Sequence, residues 1–269
     1  TGCLGNCTYC KTKHARGILG SYFPDEILKR MLRAVEEGCT EIWLTSEDTG
    51  AWGLDIGSDI AQLLKLLVSN IPENVMLRIG MTNPPYILNQ LESIAKSLNH
   101  PRVFSFLHIP VQSGSNITLE RMNREYTREE FMKVCDYLLE HVPDMTIATD
   151  IITGFPGESY EDHLETMTLL EAYKLPVINI SQFYPRPGTV AAKMKQCQGA
   201  DKKKRSKEVT QFFESYRNTD MFQDRIERVY INEAENSKKH GLKLTGHTKN
   251  YSKVVLDYDA DLLGYFFPS

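Results

Sequence analysis

Three cysteines and one histidine stand within the first 14 residues, in the segment TGCLGNCTYCKTKH. Cys3, Cys7 and Cys10 follow the spacing C-x3-C-x2-C. Thiolates are the usual ligands of iron–sulfur clusters, and three of them on one short loop can bind three irons of a four-iron cube, which leaves the fourth iron without a protein ligand. Adding His14 gives instead a complete tetrahedral Cys3His set for zinc. The spacing alone permits both metal centres.

The sequence after the loop favours the cluster over zinc. A structural zinc loop usually organises a small independent module, whereas this loop runs directly into a long series of predicted strands and helices. His14 lies among basic residues and is predicted to be an exposed polar side chain. The remaining cysteines are scattered over helical or linker segments, where we expect small buried or incidental thiols: Cys39, Cys135 and Cys197.

Composition indicates a globular protein of ordinary type. The chain has 269 residues, of which 41% are hydrophobic and 25% charged, so it can bury a large core and is not disordered. No apolar run approaches the roughly 20 residues that span a bilayer, and no basic segment precedes an apolar one. We therefore expect a soluble, cytoplasmic chain without membrane contact. The cysteine usage fits a reducing compartment, and the net charge of -4 argues against a surface coated in positive charge.

Strands alternating with helices must position the cysteine loop. The strand-like segments, which are mostly apolar with little period-two pattern, are TEIWLTS, VMLRIGM, VFSFLHIPV, MTIATDIITG and VINISQFY. The helix-like segments that alternate with them are PDEILKRMLRAVEEG, DIAQLLKLLVSNI, YILNQLESIAKSL, FMKVCDYLLEHV and DHLETMTLLEAY. This alternation predicts the α/β class, with a parallel sheet covered by helices.

The composition changes after residue 194. The basic segment KQCQGADKKKRSKE marks a boundary or the entry to a charged helix, and an RNA contact and an exposed helix start fit it equally well. A further helix is predicted in VTQFFESYRNTDMF. The tail that follows has β-type patches separated by NSKKHG and TGHTKN turns, which predicts a small β-barrel module. We place the domains at residues 1–221 and 222–269.

Several motifs resemble one enzyme family. The GCLGNCTYC loop resembles the cluster motif of radical S-adenosylmethionine (SAM) enzymes, in which the open iron binds the amino and carboxylate groups of SAM. The blocks TSEDTGAWG, HIPVQSGSNITLERMNR, TDIITGFPGE and FYPRPGTVAA resemble those of the tRNA methylthiotransferases. SEDTGAWGLDIG and RIGMTNPPYI resemble the archaeal and eukaryotic branch, the threonylcarbamoyladenosine tRNA methylthiotransferases. The resemblance runs over almost the whole chain in the block order of the family.

The resemblance implies a fold in which parts of the family architecture lie outside this chain. The family has an open six-stranded (β/α) radical SAM barrel, and the strand that leads into the cysteine loop is expected before Thr1. We therefore expect a partial barrel lacking its first strand, followed by an incomplete small β-barrel (TRAM-like) module. The N-terminal domain of the family, with a second 4Fe-4S cluster connected with sulfur delivery, is also expected before Thr1. Some eukaryotic relatives carry a membrane tail that anchors them to the endoplasmic reticulum.

The resemblance also implies site residues. Cys3, Cys7 and Cys10 would ligate a 4Fe-4S cluster. The SAM contacts are expected at the ends of strands, where α/β folds bind ligands. Ser46 and Glu47 would lie near the methionyl part of SAM. The ribose and adenine side would be lined by Gln112, Ser113 and the turn from Gly154 to Gly157.

Each of these polar blocks has a local structural alternative. Glu47 and Asp48 could cap a helix entry, and the glycines of GFPGE could serve only their turn. The segment Ser113–Ser115 could cap a helix that begins near Asn116. Their joint position at successive strand ends favours a cofactor rim.

The implied reaction is methylthiolation of carbon 2 of the hypermodified adenosine 3' of a tRNA anticodon. One SAM would supply the radical, another the methyl group, and the second cluster the sulfur, so this chain is expected to be incomplete for sulfur insertion. The partners would be tRNA and an electron donor of unknown identity. Arg121 and Arg124 could contact anionic cofactor or RNA phosphate, although a solvated surface is the default expectation.

RNA contacts are also expected in the tail, where acidic residues are about as numerous and solvated charge is the alternative. The candidates there are Lys238, Lys239, Lys243, Lys249 and Tyr251. Two other functions stay open from the residues: a zinc-bearing, non-catalytic RNA-binding protein, and a radical SAM methylthiotransferase that acts on another RNA or on a ribosomal protein.

Overall fold

In a computed structural model of the chain, which describes residues 1–216, 224–237 and 241–262, the five segments predicted as strands form parallel strands. Their bounds are Glu41–Leu44 (β1), Met76–Ile79 (β2), Phe106–His108 (β3), Thr146–Thr153 (β4) and Val177–Gln182 (β5). β1 pairs with β2, and β3, β4 and β5 form a second parallel sheet. A parallel bridge between Leu77 and Val103 links β2 to the segment that enters β3. The predicted α/β class is confirmed.

Helices connect the strands and pack against one side of them. The α-helices of the described ranges are Thr12–Arg16 (α1), Pro24–Glu36 (α2), Ile60–Asn70 (α3), Pro84–Ile87 (α4), Leu91–Leu98 (α5), Asn116–Arg121 (α6), Arg128–His141 (α7), Tyr160–Tyr173 (α8), Val190–Lys193 (α9) and Gly199–Glu214 (α10). In α7 and α8 the hydroxyls of Thr127 and Ser159 accept from the N–H groups of Glu130 and Asp162, at 3.2 and 3.1 Å. These caps satisfy N–H groups of the first turn and fix where each helix begins.

The strands have two different faces. Alternate residues such as Leu77, Ile79 and Leu107 are buried against the helices in the main core. The residues between them form what we call the inner face of the sheet: Glu41, Trp43, Met76, Arg78, Phe106, His108, Ala148, Asp150 and Asn179. The strands thus have more period-two pattern than expected, because polar and charged side chains occupy part of the inner face.

The basic segment after residue 194 enters a helix. Helix α10 begins at Gly199, inside the segment, so the alternative of a charged helix entry is confirmed and the predicted start near Val209 is too late. Lysines are good helix formers, and only a narrow face of α10, with Arg205 and Val209, is buried. The end of the predicted helix and the domain boundary at 221–222 fall on residues 217–223, which lie outside the described residues.

The tail forms an antiparallel sheet. Its strands are Val229–Ser237 (β6), Gly241–Thr248 (β7) and Lys253–Asp257 (β8), in the order β6-β7-β8. The sheet docks at the amino ends of the parallel strands. There the Ser105 N–H, just before β3, donates to the Lys249 carbonyl at 2.8 Å. The Tyr251 hydroxyl lies 3.1 Å from a carboxylate oxygen of Glu41, the first residue of β1. The tail thus sits at the end of the sheet opposite to the cysteine loop.

In the part of the chain that the structure describes, no helix combines the length and the apolar character that crossing a bilayer requires.

Candidate functional site

The three predicted ligand cysteines share one cavity. It has a volume of about 370 Å³ and lies at the carboxyl ends of the parallel strands. Its walls come from the cysteine loop and from the segments that follow the strands: Cys3, Cys7 and Cys10 from the loop, Glu47 and Asp48 after β1, Asn83 after β2, Pro110 and Gln112 after β3, Ile152 from β4, and Ser181 and Arg186 from and after β5. The expected convergence at strand ends is therefore observed.

Gly5 lies beside two of the three thiols of the cysteine loop. A Cβ atom built on Gly5 would lie 3.7 Å from Cys3 Sγ and 3.8 Å from Cys7 Sγ. These are ordinary van der Waals distances, so position 5 lies directly beside both thiols. Cys10 Sγ lies 3.1 Å from the Thr12 hydroxyl and accepts from the Thr12 N–H at 3.4 Å. Burial raises the pKa of the Cys3 thiol.

The loop is tied to the segment after α6. Thr8 donates its N–H to the Met122 carbonyl and its hydroxyl to the Arg121 carbonyl, each at 2.9 Å. The Asn123 amide donates to the Asn6 carbonyl, also at 2.9 Å. The motif NITLERMNR therefore holds the cysteine loop over the strand ends.

The geometry does not form the zinc site that His14 would complete. Within the described ranges, no three His, Cys, Asp or Glu side chains are close enough together to ligate one metal ion. His14 is exposed on α1, as predicted. Three thiols that line one cavity but stand apart suit a cluster in which each thiolate binds a different iron. The donor set therefore fits an iron–sulfur cluster.

Arg124 connects the cysteine loop to two strand ends. Its Nη1 donates to Cys7 Sγ at 3.2 Å, and its Nη2 donates to the Asn83 amide oxygen and, at 3.4 Å, to the Pro110 carbonyl. Tyr126 accepts from Nε and Nη2 at 3.1 and 2.9 Å. Arg124 is partly buried and lines the cavity, so the default of a solvated surface is wrong for this residue.

Asp48 is a buried carboxylate in the cavity wall that the sequence analysis read only as a cap. It is 3% exposed and accepts from the Asn83 side-chain amide at 2.6 Å. Burial raises the pKa of Asp48 to about 6, although hydrogen bonds from Asn83 and the nearby Arg124 charge favour the ionised form. The signal for this residue was present in the block TSEDTGAWG.

A second polar group lies on the inner face, across β3, β4 and β5. The His108 Nε2 and Asp150 Oδ1 atoms are 2.9 Å apart, and the Asn179 amide donates to the same oxygen at 2.8 Å. Burial opposes ionisation of Asp150, but these hydrogen bonds outweigh it and hold the pKa of Asp150 below its ordinary value. Sequence reasoning missed this group because it treated β3, β4 and β5 as uniformly apolar.

Among the expected SAM contacts, Glu47 and Gln112 line the cavity with the cysteines. Gln112 has a left-handed backbone, with φ of 69°, and is held there between a 2.8 Å bond from its N–H to the Asp150 carbonyl and a 2.9 Å bond from the Ile152 N–H to its own carbonyl. Ser46 is exposed and lines, together with Glu47, a separate cavity of about 810 Å³ beside β1.

The other expected contacts lie outside the cavity wall. Ser113 is fully buried, and its hydroxyl lies 3.3 Å from that of Thr166. Gly154 and Gly157 have positive φ values of 70° and 82°, which glycine adopts without strain, and they shape the turn after β4. The Gly154 N–H donates to the Glu158 carboxylate at 2.7 Å.

Two of the expected RNA contacts are wrong. Lys249 Nζ donates to the carbonyls of Leu98, at 2.8 Å, and Val103, and burial lowers the pKa of Lys249 to about 8. Tyr251 packs on Phe104, so both residues face the amino ends of the parallel strands. Lys243 pairs with an exposed carboxylate of the tail. Lys238 and Lys239 lie outside the described residues, and Arg121 is exposed and bonds the Gly157 carbonyl.

Comparisons with known proteins agree with this geometry. The profile of the radical SAM superfamily matches residues 1–170. The solved structure of Escherichia coli coproporphyrinogen III oxidase, described as a radical SAM enzyme, is similar with a TM-score of 0.58 and 16% identity, over 79% of this chain and 50% of that one. The chain therefore belongs to the radical SAM superfamily. Membership implies an iron–sulfur cluster and SAM as its cofactors.

The curated relatives narrow the family further. The chain is 54% identical over 267 residues to the threonylcarbamoyladenosine tRNA methylthiotransferase of Drosophila melanogaster. The matched region covers 98% of this chain and 47% of the relative. It is 38% identical over 261 residues to the probable threonylcarbamoyladenosine tRNA methylthiotransferase of Pyrococcus abyssi, over 96% of this chain and 60% of the relative. The resemblance to the archaeal and eukaryotic branch is confirmed. The chain spans about half the length of the Drosophila relative.

Proposed function

We propose that this chain is the catalytic core of a threonylcarbamoyladenosine tRNA methylthiotransferase, which adds a methylthio group to carbon 2 of the modified adenosine 3' of the anticodon. The observation that carries the proposal is the placement of Cys3, Cys7 and Cys10 around one cavity at the carboxyl ends of five parallel strands. Similarity over 98% of the chain to proteins of that name supports the substrate.

The chain's own residues would prepare this cavity for the cofactors. Cys3, Cys7 and Cys10 would hold a 4Fe-4S cluster, and Gly5 places no side chain beside the thiols of Cys3 and Cys7. When bound, the cluster supplies the electron that cleaves SAM reductively. Glu47 and Gln112 line the cavity and are the proposed SAM contacts.

The remaining expected contacts would act as supports of the strand ends. Ser113 holds the segment after β3 against α8 through Thr166, and Gly154 and Gly157 allow the turn after β4. Ser46 lies beside the cavity and accepts from the Asp48 N–H at 3.2 Å. These supports bring the polar groups of several strand ends to one place, which is how a parallel fold builds a rigid cofactor site.

The tail would begin a TRAM-like RNA-binding domain that holds tRNA. Three antiparallel strands that follow the core directly support this assignment, with the proposed domains at residues 1–221 and 222–269. The core would form a partial barrel of five of the six family strands. A second 4Fe-4S cluster and an electron donor would complete the reaction, which we place in the cytoplasm.

Anaerobic reconstitution with iron and sulfide tests the cofactor part of the proposal. We expect one 4Fe-4S cluster per chain, with brown charge-transfer absorption, and cleavage of added SAM once the cluster is reduced. Stoichiometric zinc held through His14 would contradict it.

Mass spectrometry of tRNA nucleosides tests the substrate. Cells that lack the full-length gene should lose the methylthio derivative of threonylcarbamoyladenosine, and the intact gene should restore it. An unchanged level of that nucleoside would remove the tRNA assignment.

A further inference from the structure

The guanidinium of Arg124 is bonded to a cysteine that the proposed function assigns to the cluster. Arg124 Nη1 lies 3.2 Å from Cys7 Sγ and 3.5 Å from the Tyr9 hydroxyl. The spacing to sulfur is that of a hydrogen bond to a large, polarisable acceptor. Arg124 follows α6, in the segment whose Arg121 carbonyl accepts a hydrogen bond from Thr8 of the cysteine loop. The segment that carries Arg124 is therefore tied to the loop that carries Cys7.

The remaining donors of Arg124 are fixed by neutral groups. Its Nε and Nη2 donate to the Tyr126 hydroxyl, and its carbon Cζ lies 4.9 Å from the Tyr126 ring centroid. Tyr126 is 5% exposed and itself donates to the Pro110 carbonyl at 2.6 Å. Nη2 also donates to the amide oxygen of Asn83. Because neutral acceptors hold Nε and Nη2, the guanidinium is kept oriented with Nη1 towards Cys7 Sγ.

The positive charge of Arg124 has no carboxylate partner in ion-pair range among the described residues. Asp48 and Asp150 line the same cavity, and the Arg124 charge favours the ionised form of both. Asn83 links Arg124 to Asp48, because its amide oxygen accepts from Arg124 while its amide nitrogen donates to Asp48. Burying a charge without a counter-ion costs folding free energy. Cys7 as a thiolate supplies that partner, because it is the acceptor in this network that becomes negatively charged when it binds iron.

Hydrogen bonds and charges at ligand sulfurs are the means by which proteins set the potential of an iron–sulfur cluster. Reduction adds one negative charge, which a fixed cation beside a ligand sulfur stabilises more than it stabilises the oxidised form. We infer that Arg124 is a positioning residue that holds Cys7 in place and makes the cluster easier to reduce, which rests on the proposed assignment of Cys7 as a cluster ligand.

The test is a redox titration of the reconstituted cluster in the absence of SAM, followed by electron paramagnetic resonance. At a fixed solution potential we expect the ratio of reduced to oxidised cluster to be about tenfold lower in Arg124→Gln than in the wild type, equivalent to about 59 mV for a one-electron couple. Arg124→Lys keeps the positive charge but loses the planar guanidinium with its several donors. The ratio of reduced to oxidised cluster should therefore fall about threefold in this variant. Arg128→Gln is the matched control, because Arg128 pairs with Glu129 and Glu165 on the helical side and should leave the ratio unchanged.

The outcomes separate this inference from the proposed function. If the wild type assembles no cluster, the proposed function fails. If the wild type assembles one and both Arg124 variants titrate as it does, the inference is overturned, and weaker SAM binding with an unchanged potential would show that Arg124 serves the cofactor instead. Should Arg124→Gln fail to assemble a cluster, Arg124→Lys decides, since an unshifted ratio there overturns the inference. A shift in Arg128→Gln of the same size would also overturn it.

Discussion

The Tyr251 ring meets the Phe104 ring edge-on, with centroids 4.8 Å apart and planes at 73°. This contact joins the tail sheet to the amino ends of the parallel strands. On its other side Tyr251 stacks parallel to His247 at 4.1 Å, and the Arg78 guanidinium lies 4.8 Å from its ring centroid. The tail is therefore packed onto the core partly through Tyr251, whose ring also lies 5.0 Å from the Phe106 ring.

Tyr251→Ala is expected to loosen the tail. Removing the ring deletes its aromatic and cation contacts, so the free energy of unfolding should fall by about 2 to 3 kcal/mol. Limited proteolysis should then cut the tail before the core. Tyr258→Ala is the control, because Tyr258 is 44% exposed. If the two variants melted and were cut alike, the packing role of Tyr251 would be refuted.

The stability of the chain should depend on Lys249 at alkaline pH. Burial lowers the folded-state pKa of Lys249 to about 8 from the ordinary 10.5, so between these values the unfolded state binds more protons than the folded state. The free energy of unfolding must therefore rise with pH across that window, by up to about 1.4 kcal/mol per pH unit from this group.

Urea unfolding of the wild type and of Lys249→Met, from pH 7.5 to 10, measures the contribution of Lys249. The difference between the two proteins should grow in favour of the wild type as the pH rises. Parallel curves would mean that Lys249 keeps an ordinary pKa.

Cys7→Ala should remove the cluster without unfolding the core. The loop lies at the mouth of the cavity rather than in the main core, so helical circular dichroism should persist while iron content and SAM cleavage are lost. Cys39→Ala is the control, since Cys39 is exposed and lies outside this cavity. Global unfolding of Cys7→Ala would contradict the placement of the loop at the rim.

Arg205→Ala should destabilise the turn after β4. Arg205 donates to the Glu158 carboxylate at 2.5 Å and to its carbonyl at 3.0 Å, and both side chains are almost fully buried. Removing the cation leaves a buried carboxylate unpaired, which costs about 3 to 5 kcal/mol. Thermal melting should show the loss, whereas Lys204→Ala, whose side chain is 62% exposed, should melt within about 0.5 kcal/mol of the wild type. Equal melting of both would refute the role of the buried pair.

The parallel strands and the cysteine site could be predicted because their signals are local. Helical spacing of apolar residues and short apolar runs indicate the elements directly, and the spacing of Cys3, Cys7 and Cys10 indicates a metal centre within one loop. The inner face was predictable too, from Arg78 and Asp150 in the middle of apolar strands, but the strands were read as uniformly buried.

Other features depend on which surfaces meet in three dimensions. Lys249 and Tyr251 are residue types that contact RNA, yet the carbonyls and aromatic rings at the amino ends of the strands bury them. Arg124 is similar, because only folding brings it against Cys7. Burial of a polar side chain requires a partner surface, and sequence spacing does not specify that surface.

The left-handed backbone at Gln112 sets the stability of the fold against the placement of a side chain in the cavity wall. A side-chain-bearing residue with φ of 69° gives up about 1 kcal/mol that glycine would not. Gln112→Gly should therefore relieve the strain yet leave a bare stretch of cavity wall. Selection for heat resistance alone would favour that exchange, whereas selection for a working cofactor pocket would oppose it, so this position offers a place where the two pressures can be weighed separately.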